Sequence, residues 1–167
     1  VRDKDAIASC AMIAEMTAWA KNEGKTLFEL LIEISKEYGL YLEGLKSVTK
    51  KGKSGAEEIA TMMENFRTTP PTNLGGEKVV AFKDYQSSIL KDLVSGTEKT
   101  IELPKSNVLQ FFTEKGSKIS VRPSGTEPKI KFYFSVRNDD LLNEGDIFVS
   151  HQKLRSMIDK MADDLDR

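Results

Sequence analysis

The feature that most constrains how this chain folds is a pair of alternating segments on either side of a short polar stretch. Ile119 and Val121 alternate with polar residues before it, and Ile130, Phe132, Phe134 and Val136 alternate after it. A period of two places such residues on one face of a sheet, so both segments read as strands with one buried face. The stretch between them is too short for a crossover, which makes the strands antiparallel neighbours. It runs Ser120-Val121-Arg122-Pro123-Ser124-Gly125-Thr126-Glu127-Pro128-Lys129-Ile130-Lys131. Pro123 and Pro128 each fix a backbone torsion and remove a donor, while Gly125 is free to take a positive φ. A stiff loop that turns sharply is expected.

That loop is rich in donors. Arg122 carries a planar guanidinium fork, Ser124 and Thr126 add hydroxyls, and the Ser-Gly-Thr backbone can turn N–H groups inward. Lys129 and Lys131 fall on one face of the second strand, with Ile130 and Phe132 on the other, so Lys131 is expected beside Arg122 at the base of the loop. The inventory suits a phosphate dianion, with charge-assisted hydrogen bonds of roughly 1.5–3 kcal/mol each and net recognition in the micromolar to millimolar range. The same residue types also make an ordinary hairpin loop with solvated lysines.

The run Arg-Pro-Ser-Gly-Thr-Glu-Pro-Lys-Ile-Lys resembles the phosphate-binding loop in the last domain of the α-D-phosphohexomutases. The stretch from Val108 to Val136 is most similar to the bacterial phosphoglucomutase branch related to glucose-1,6-bisphosphate synthase and phosphopentomutase. The resemblance implies that Arg122, Ser124, Gly125, Thr126 and Lys131 hold the phosphate that is not being transferred. Lys131 stands where Arg is often found and gives up bidentate geometry; Glu127 is assigned to loop structure. Arg2-Asp3-Lys4-Asp5 reads as a charged helix start and also resembles the family's third-domain Lys-Asp pair, which would make Lys4 an aid to proton transfer.

The rest of the chain reads as follows. Asp5 to Lys21 is a helix apolar enough to be buried on most of its surface, and a second helix follows from a Thr26/Glu29 capping box to Gly39. This hairpin, residues 1–40, is expected to close a preceding α/β domain, with a mobile boundary near Gly39 to Gly44. Leu42 to Thr49 reads as a short strand before the basic turn Lys50–Lys53. Ser54 and Glu57 cap a helix whose stripe Ile59, Met62, Met63 and Phe66 is core or, alternatively, a methionine-lined ligand surface. Strands follow at Val79–Tyr85, Val108–Thr113, Ser117–Val121 and Ile130–Val136, and Asp146–Leu165 is an amphipathic helix. The excursion Gln86–Asn107 is expected to be mobile or loosely packed. Residues 41–167 thus form an α+β domain, an antiparallel sheet of about four main strands covered by two helices. The resemblance implies a TATA-binding-protein-like fold for it.

Bulk properties narrow the function. A net charge of −1 with 31% charged residues over 167 positions argues against general attraction to nucleic acid or membrane, and no apolar run reaches the roughly 18 residues of a span. One cysteine, Cys10, builds no internal disulfide framework and fits a cytoplasmic setting. Gly52-Lys53-Ser54-Gly55 fails as a Walker A loop because Ser47 stands where glycine is needed. Its GxxG letters leave a nucleic-acid reading of the Lys50–Lys53 turn as an alternative. His151 is the sole histidine, so neither a histidine metal cluster nor a Ser-His-Asp triad is expected.

The chain begins at Val1 inside a charged run and is expected to be part of something longer. The family's phosphoserine motif, its Asp-Gly-Asp-x-Asp-Arg metal loop and its sugar-reading Glu-Glu-Ser-Gly loop do not occur in it. The resemblance therefore implies a division of labour. This segment clamps the distal phosphate of a sugar phosphate, and N-terminal domains with Mg²⁺ carry out phosphoryl transfer through glucose 1,6-bisphosphate. No cofactor is expected in this segment, which alone is expected to be inactive.

Overall fold

The computed structural model describes residues 5–50, 52–139 and 144–165, excluding the side chains of Lys53 and Glu144. Its first two elements are α1 (Ala6–Asn22) and α2 (Leu27–Tyr38). Asp5 caps α1 by accepting a hydrogen bond from Ala8 N at 2.9 Å. Thr26 and Glu29 form the expected capping box, with Thr26 N donating to Glu29 Oε2 at 2.7 Å and Glu29 N to Thr26 Oγ1 at 3.2 Å. The backbone and hydroxyl of Thr26 hold the Glu29 carboxyl below its ordinary pKa. A depressed carboxylate contributes stability that is complete above its unfolded-state pKa and is lost as pH falls through the folded value. Acidification below the ordinary glutamate range is therefore expected to fray the start of α2, read as faster exchange of the Thr26 amide. A Glu29→Gln variant, which keeps a hydrogen-bonding side chain, is expected to flatten that profile; the same profile in both proteins would count against the cap.

The packing of α1 departs from expectation. The helix forms, but Ala20 is its one buried residue, and Ile7, Met12, Ile13, Met16 and Trp19 are 41–85% exposed. An all-round apolar composition specifies a helix that requires neighbours, and the described residues supply little beyond α2.

After Gly39 the chain enters β1 (Leu40–Thr49), ten residues long rather than short, paired antiparallel with β8 (Lys129–Asn138) along its whole length. Gly44 sits mid-strand where a Cβ would lie 2.8 Å from Ile158 Cγ2, so its lack of a side chain lets the last helix approach. The third helix, α3 (Gly52–Thr68), starts two residues before Ser54, which places Ser54 in its first turn rather than at its cap. The remaining strands are β2 (Asn73–Leu74), β3 (Glu77–Asp84), β4 (Ile89–Asp92), β5 (Glu98–Thr100), β6 (Leu109–Thr113) and β7 (Lys118–Pro123), and α4 (Glu144–Asp164) is the last helix described.

The sheet order is β1-β8-β7-β6-β3-β4-β5, with β2 on β3. The four expected strands, β3, β6, β7 and β8, form its middle, and every strand pair is antiparallel. The excursion between β3 and β6 is more ordered than expected. Asp92 Oδ1 accepts from Val94 N and Ser95 N, each at 2.8 Å, and closes a turn that sends β5 back along β4.

Helices α3 and α4 cover one face of the sheet. Ile59 and Met63 from α3, Leu154, Ile158 and Met161 from α4, and Leu165 just after it are buried in one core with Val121, Ile130, Phe132, Phe134 and Val136. Phe66 stands edge-on to both Phe111 and Phe132, with ring centroids 6.1 Å apart in each case, so the α3 stripe is core. The opposite face stays open. Because side chains alternate, burying Val121 and Phe132 obliges Arg122, Lys131 and Tyr133 to project from that face.

Candidate functional site

The site is built by the β7–β8 connection. Arg122 and Lys131 are direct cross-strand partners, as are Pro123 and Ile130. The loop is held at its ends: Ser124 N donates to Lys129 O at 2.7 Å, Lys129 N to Glu127 O at 2.7 Å, and Lys50 N, just past β1, to Pro128 O at 2.9 Å. The Glu127 carboxylate, mostly exposed, has Oε2 3.8 Å from Lys129 Nζ. Inside these tethers Thr126 N makes a long contact of 3.4 Å to Ser124 Oγ, while Gly125 N has no acceptor among the described residues.

A cavity of about 350 Å³ opens against this loop, lined by Arg122, Pro123, Ser124, Gly125, Thr126, Lys131 and Tyr133. Five of those seven are the residues singled out from sequence. Its size lies within the roughly 300–1,000 Å³ of small-molecule sites. On the other side of the loop, Ala56, Ile59, Ala60 and Met63 of α3 border a second cavity of about 390 Å³ together with Asn107 and residues 123–128. The loop is therefore a thin partition tied at its base.

The electrostatics are uneven. Arg122 is exposed, Lys131 is half-buried, and neither has a carboxylate partner among the described residues. Two like charges directly opposite each other across a strand pair are destabilising. Lys129, one residue before the buried Ile130, is the loop cation that carries a counter-charge. A bound dianion between Arg122 and Lys131 would convert a repulsive pair into a clamp.

Gly125 differs from expectation. Its φ is not positive, and a Cβ built on it meets nothing within 4 Å. Neither the loop's backbone conformation nor its packing calls for glycine here, and the position borders only open cavity. Tyr133 lines the same cavity and went unnoticed in the sequence, although it follows Lys131 by two residues and so shares its face.

Lys4 and Lys51 lie outside the described residues, as does the side chain of Lys53. Lys50 pairs with Glu58 at 3.1 Å. His151 is exposed on α4. Among the described residues no group of three or more His, Cys, Asp or Glu could hold a metal ion, and no helix is long and apolar enough to cross a membrane.

The chain is 41% identical over 140 residues to a phosphoglucomutase of Staphylococcus haemolyticus, a match covering 84% of this chain and 25% of that protein. It is 40% identical over 139 residues to a phosphoglucomutase of Staphylococcus epidermidis, covering 83% and 25%. The chain thus spans about a quarter of the length of the curated relatives it matches. A crystal structure of parafusin, an exocytosis-sensitive phosphoprotein and phosphoglucomutase from Paramecium, in an open form, shares the fold with a TM-score of 0.53 at 20% identity, over 100% of this chain and 29% of that one. Residues 48–149 match the family model described as the phosphoglucomutase/phosphomannomutase C-terminal domain, and with well over half the chain so matched, it belongs to the phosphoglucomutase/phosphomannomutase family.

Proposed function

We propose that the cavity at the β7–β8 loop binds the non-transferred phosphate of a sugar phosphate, within a longer protein that interconverts hexose 1-phosphate and hexose 6-phosphate. The observation that carries this reading is the cross-strand pair Arg122–Lys131, without a carboxylate partner among the described residues and lining a cavity together with Ser124, Gly125 and Thr126. Arg122 supplies the planar fork, Lys131 a second charge, and Gly125 N and the two hydroxyls the remaining donors. The reacting phosphate, Mg²⁺ and glucose 1,6-bisphosphate belong, in this proposal, to the other domains of that protein.

Residues 1–40 belong, in this proposal, to the preceding α/β domain, whose layers cover the apolar surface of α1. Because β1 begins at Leu40, the hinge narrows to Gly39, at φ 89°, and rotation there closes the clamp over the active site. The working compartment is the cytoplasm, and the partners are the sugar phosphate and the rest of the parent chain. The chain by itself binds phosphate esters weakly and does not turn them over.

Titrating inorganic phosphate into the 167-residue chain and following backbone amides by NMR tests this reading. Shifts are expected at Ser124, Gly125 and Thr126; saturating phosphate that leaves those three amides unmoved would overturn it. Gly125→Ala separates binding from folding. The substitution is expected to change stability by no more than about 1 kcal/mol, since its backbone conformation suits alanine. It is expected to weaken phosphate several-fold, because Gly125 lines the cavity and a methyl group there would crowd an anion held against the loop amides. Equal phosphate affinity in both proteins would remove Gly125 from the site.

A further inference from the structure

Tyr133 stands on β8, between β1 and β7, and projects from the open face of the sheet, where it is 39% exposed. Its cross-strand neighbours are Leu45 on β1 and Ser120 on β7, and Leu45 is itself 60% exposed, so the ring lies bare on the open face. Its hydroxyl makes no hydrogen bond among the described residues. The polar side chains beside it are already organised without it: Tyr85 O–H donates to Gln110 Oε1 at 2.9 Å, and Gln110 Nε2 donates to Ser120 Oγ at 3.0 Å. Ser120 Oγ accepts that bond and keeps its own proton to donate, on the strand that pairs with Tyr133. The phenol therefore has no structural partner to satisfy, and it forms the wall of the anion cavity away from the loop.

An inorganic phosphate seated between Arg122, Lys131 and the loop amides would leave this ring in water. A phosphate ester would not. Its carbon skeleton must leave the phosphate in some direction, and an aromatic face flanked by free O–H donors matches a body that alternates C–H and O–H groups. We propose that Tyr133 is a binding residue for the carbon skeleton of a phosphorylated sugar, so that the site reads the ester rather than the phosphate alone. This rests on the phosphate reading above and adds a residue to it.

The test compares inorganic phosphate with glucose 6-phosphate on the 167-residue chain, both followed at the Ser124–Thr126 amides. The unsubstituted chain is expected to prefer glucose 6-phosphate about three- to tenfold, and Tyr133→Ala to erase that preference while holding inorganic phosphate within about twofold. Tyr133→Phe, which keeps the ring, is expected to retain most of it. If inorganic phosphate fails to move those amides in the unsubstituted chain, the phosphate reading falls and this one with it. If phosphate binds but Tyr133→Ala leaves the preference unchanged, or weakens both ligands equally, the phosphate reading stands and the role of Tyr133 is overturned.

Discussion

Replacing Arg122 with alanine is expected to remove phosphate-induced shifts at Ser124, Gly125 and Thr126 at concentrations that saturate the unsubstituted chain. A hydrogen bond to a charged group contributes roughly 1.5–3 kcal/mol, so affinity falls about 10- to 150-fold if the guanidinium supplies one such contact, and further if it grips two oxygens. Stability should not follow. Arg122 is exposed, holds no carboxylate and faces Lys131, so truncation costs no ion pair and relieves a like-charge contact; the expected change is within about 0.5 kcal/mol. Arg122→Lys keeps the charge without the fork and is expected to fall between. An Arg122→Ala chain that binds phosphate within twofold of the original would show that the anion sits elsewhere.

The same substitution in the proposed full-length enzyme extends the argument to catalysis. Binding a remote phosphate contributes to rate where it positions the reacting end, so KM is expected to rise and kcat to fall with it. Unchanged kinetics there, with phosphate binding lost in the 167-residue chain, would separate the clamp from the chemistry.

The central strands and the site loop were legible because local rules and tertiary demand agree there. The alternation through Ile130, Phe132, Phe134 and Val136 survives in the sheet because that face is buried by two helices, and the same period delivers Arg122 and Lys131 to the open face. Where the rules conflict, the reading failed in specific ways. In β3 a register irregularity between Val79 and Ala81 moves Phe82 and Asp84 onto the buried face with Val79, which strict alternation does not anticipate. Strands β4 and β5 are short, lie at the edge and are at best half-buried, so they carry almost no apolar period. The turn joining them was readable in principle from Asp92 with Ser95 and Gly96. The exposure of α1 could not be read from its residues, since composition states that a helix needs neighbours without saying where in a longer chain they lie. Gly125 lies in the loop without the left-handed backbone that glycine permits: its φ is not positive, and a Cβ built there meets nothing within 4 Å.

Arg67→Ala is expected to cause the largest loss of stability, about 3–5 kcal/mol, because it strands a buried carboxylate. Arg67 at the end of α3 is 16% exposed and its Nε lies 3.5 Å from Asp84 Oδ2, whose side chain is 9% exposed. That Nε makes no well-formed hydrogen bond, so the pair is held by charge, with Arg67 Nη2 donating to Asn107 Oδ1 and Nη1 4.0 Å from Glu64. Without the guanidinium, Asp84 keeps one donor, Gln86 N at 2.9 Å. The urea midpoint should fall with an unchanged slope, as expected when native contacts are lost without altering the surface exposed on unfolding. Neutralising the survivor provides the control: Asp84→Asn in the Arg67→Ala background should recover a large part of the loss, since the penalty comes from the unpaired charge rather than from the missing contacts. Additive losses in the double variant would mean that the two residues act independently. Arg67 also ties α3 to Asn107, which borders the cavity behind the β7–β8 loop, so losing this side chain is expected to loosen that wall of the cavity. Arg67→Ala should therefore weaken phosphate at Ser124–Thr126 even at temperatures where the variant is fully folded, whereas Asp84→Asn alone, which leaves the Asn107 contact in place, should not.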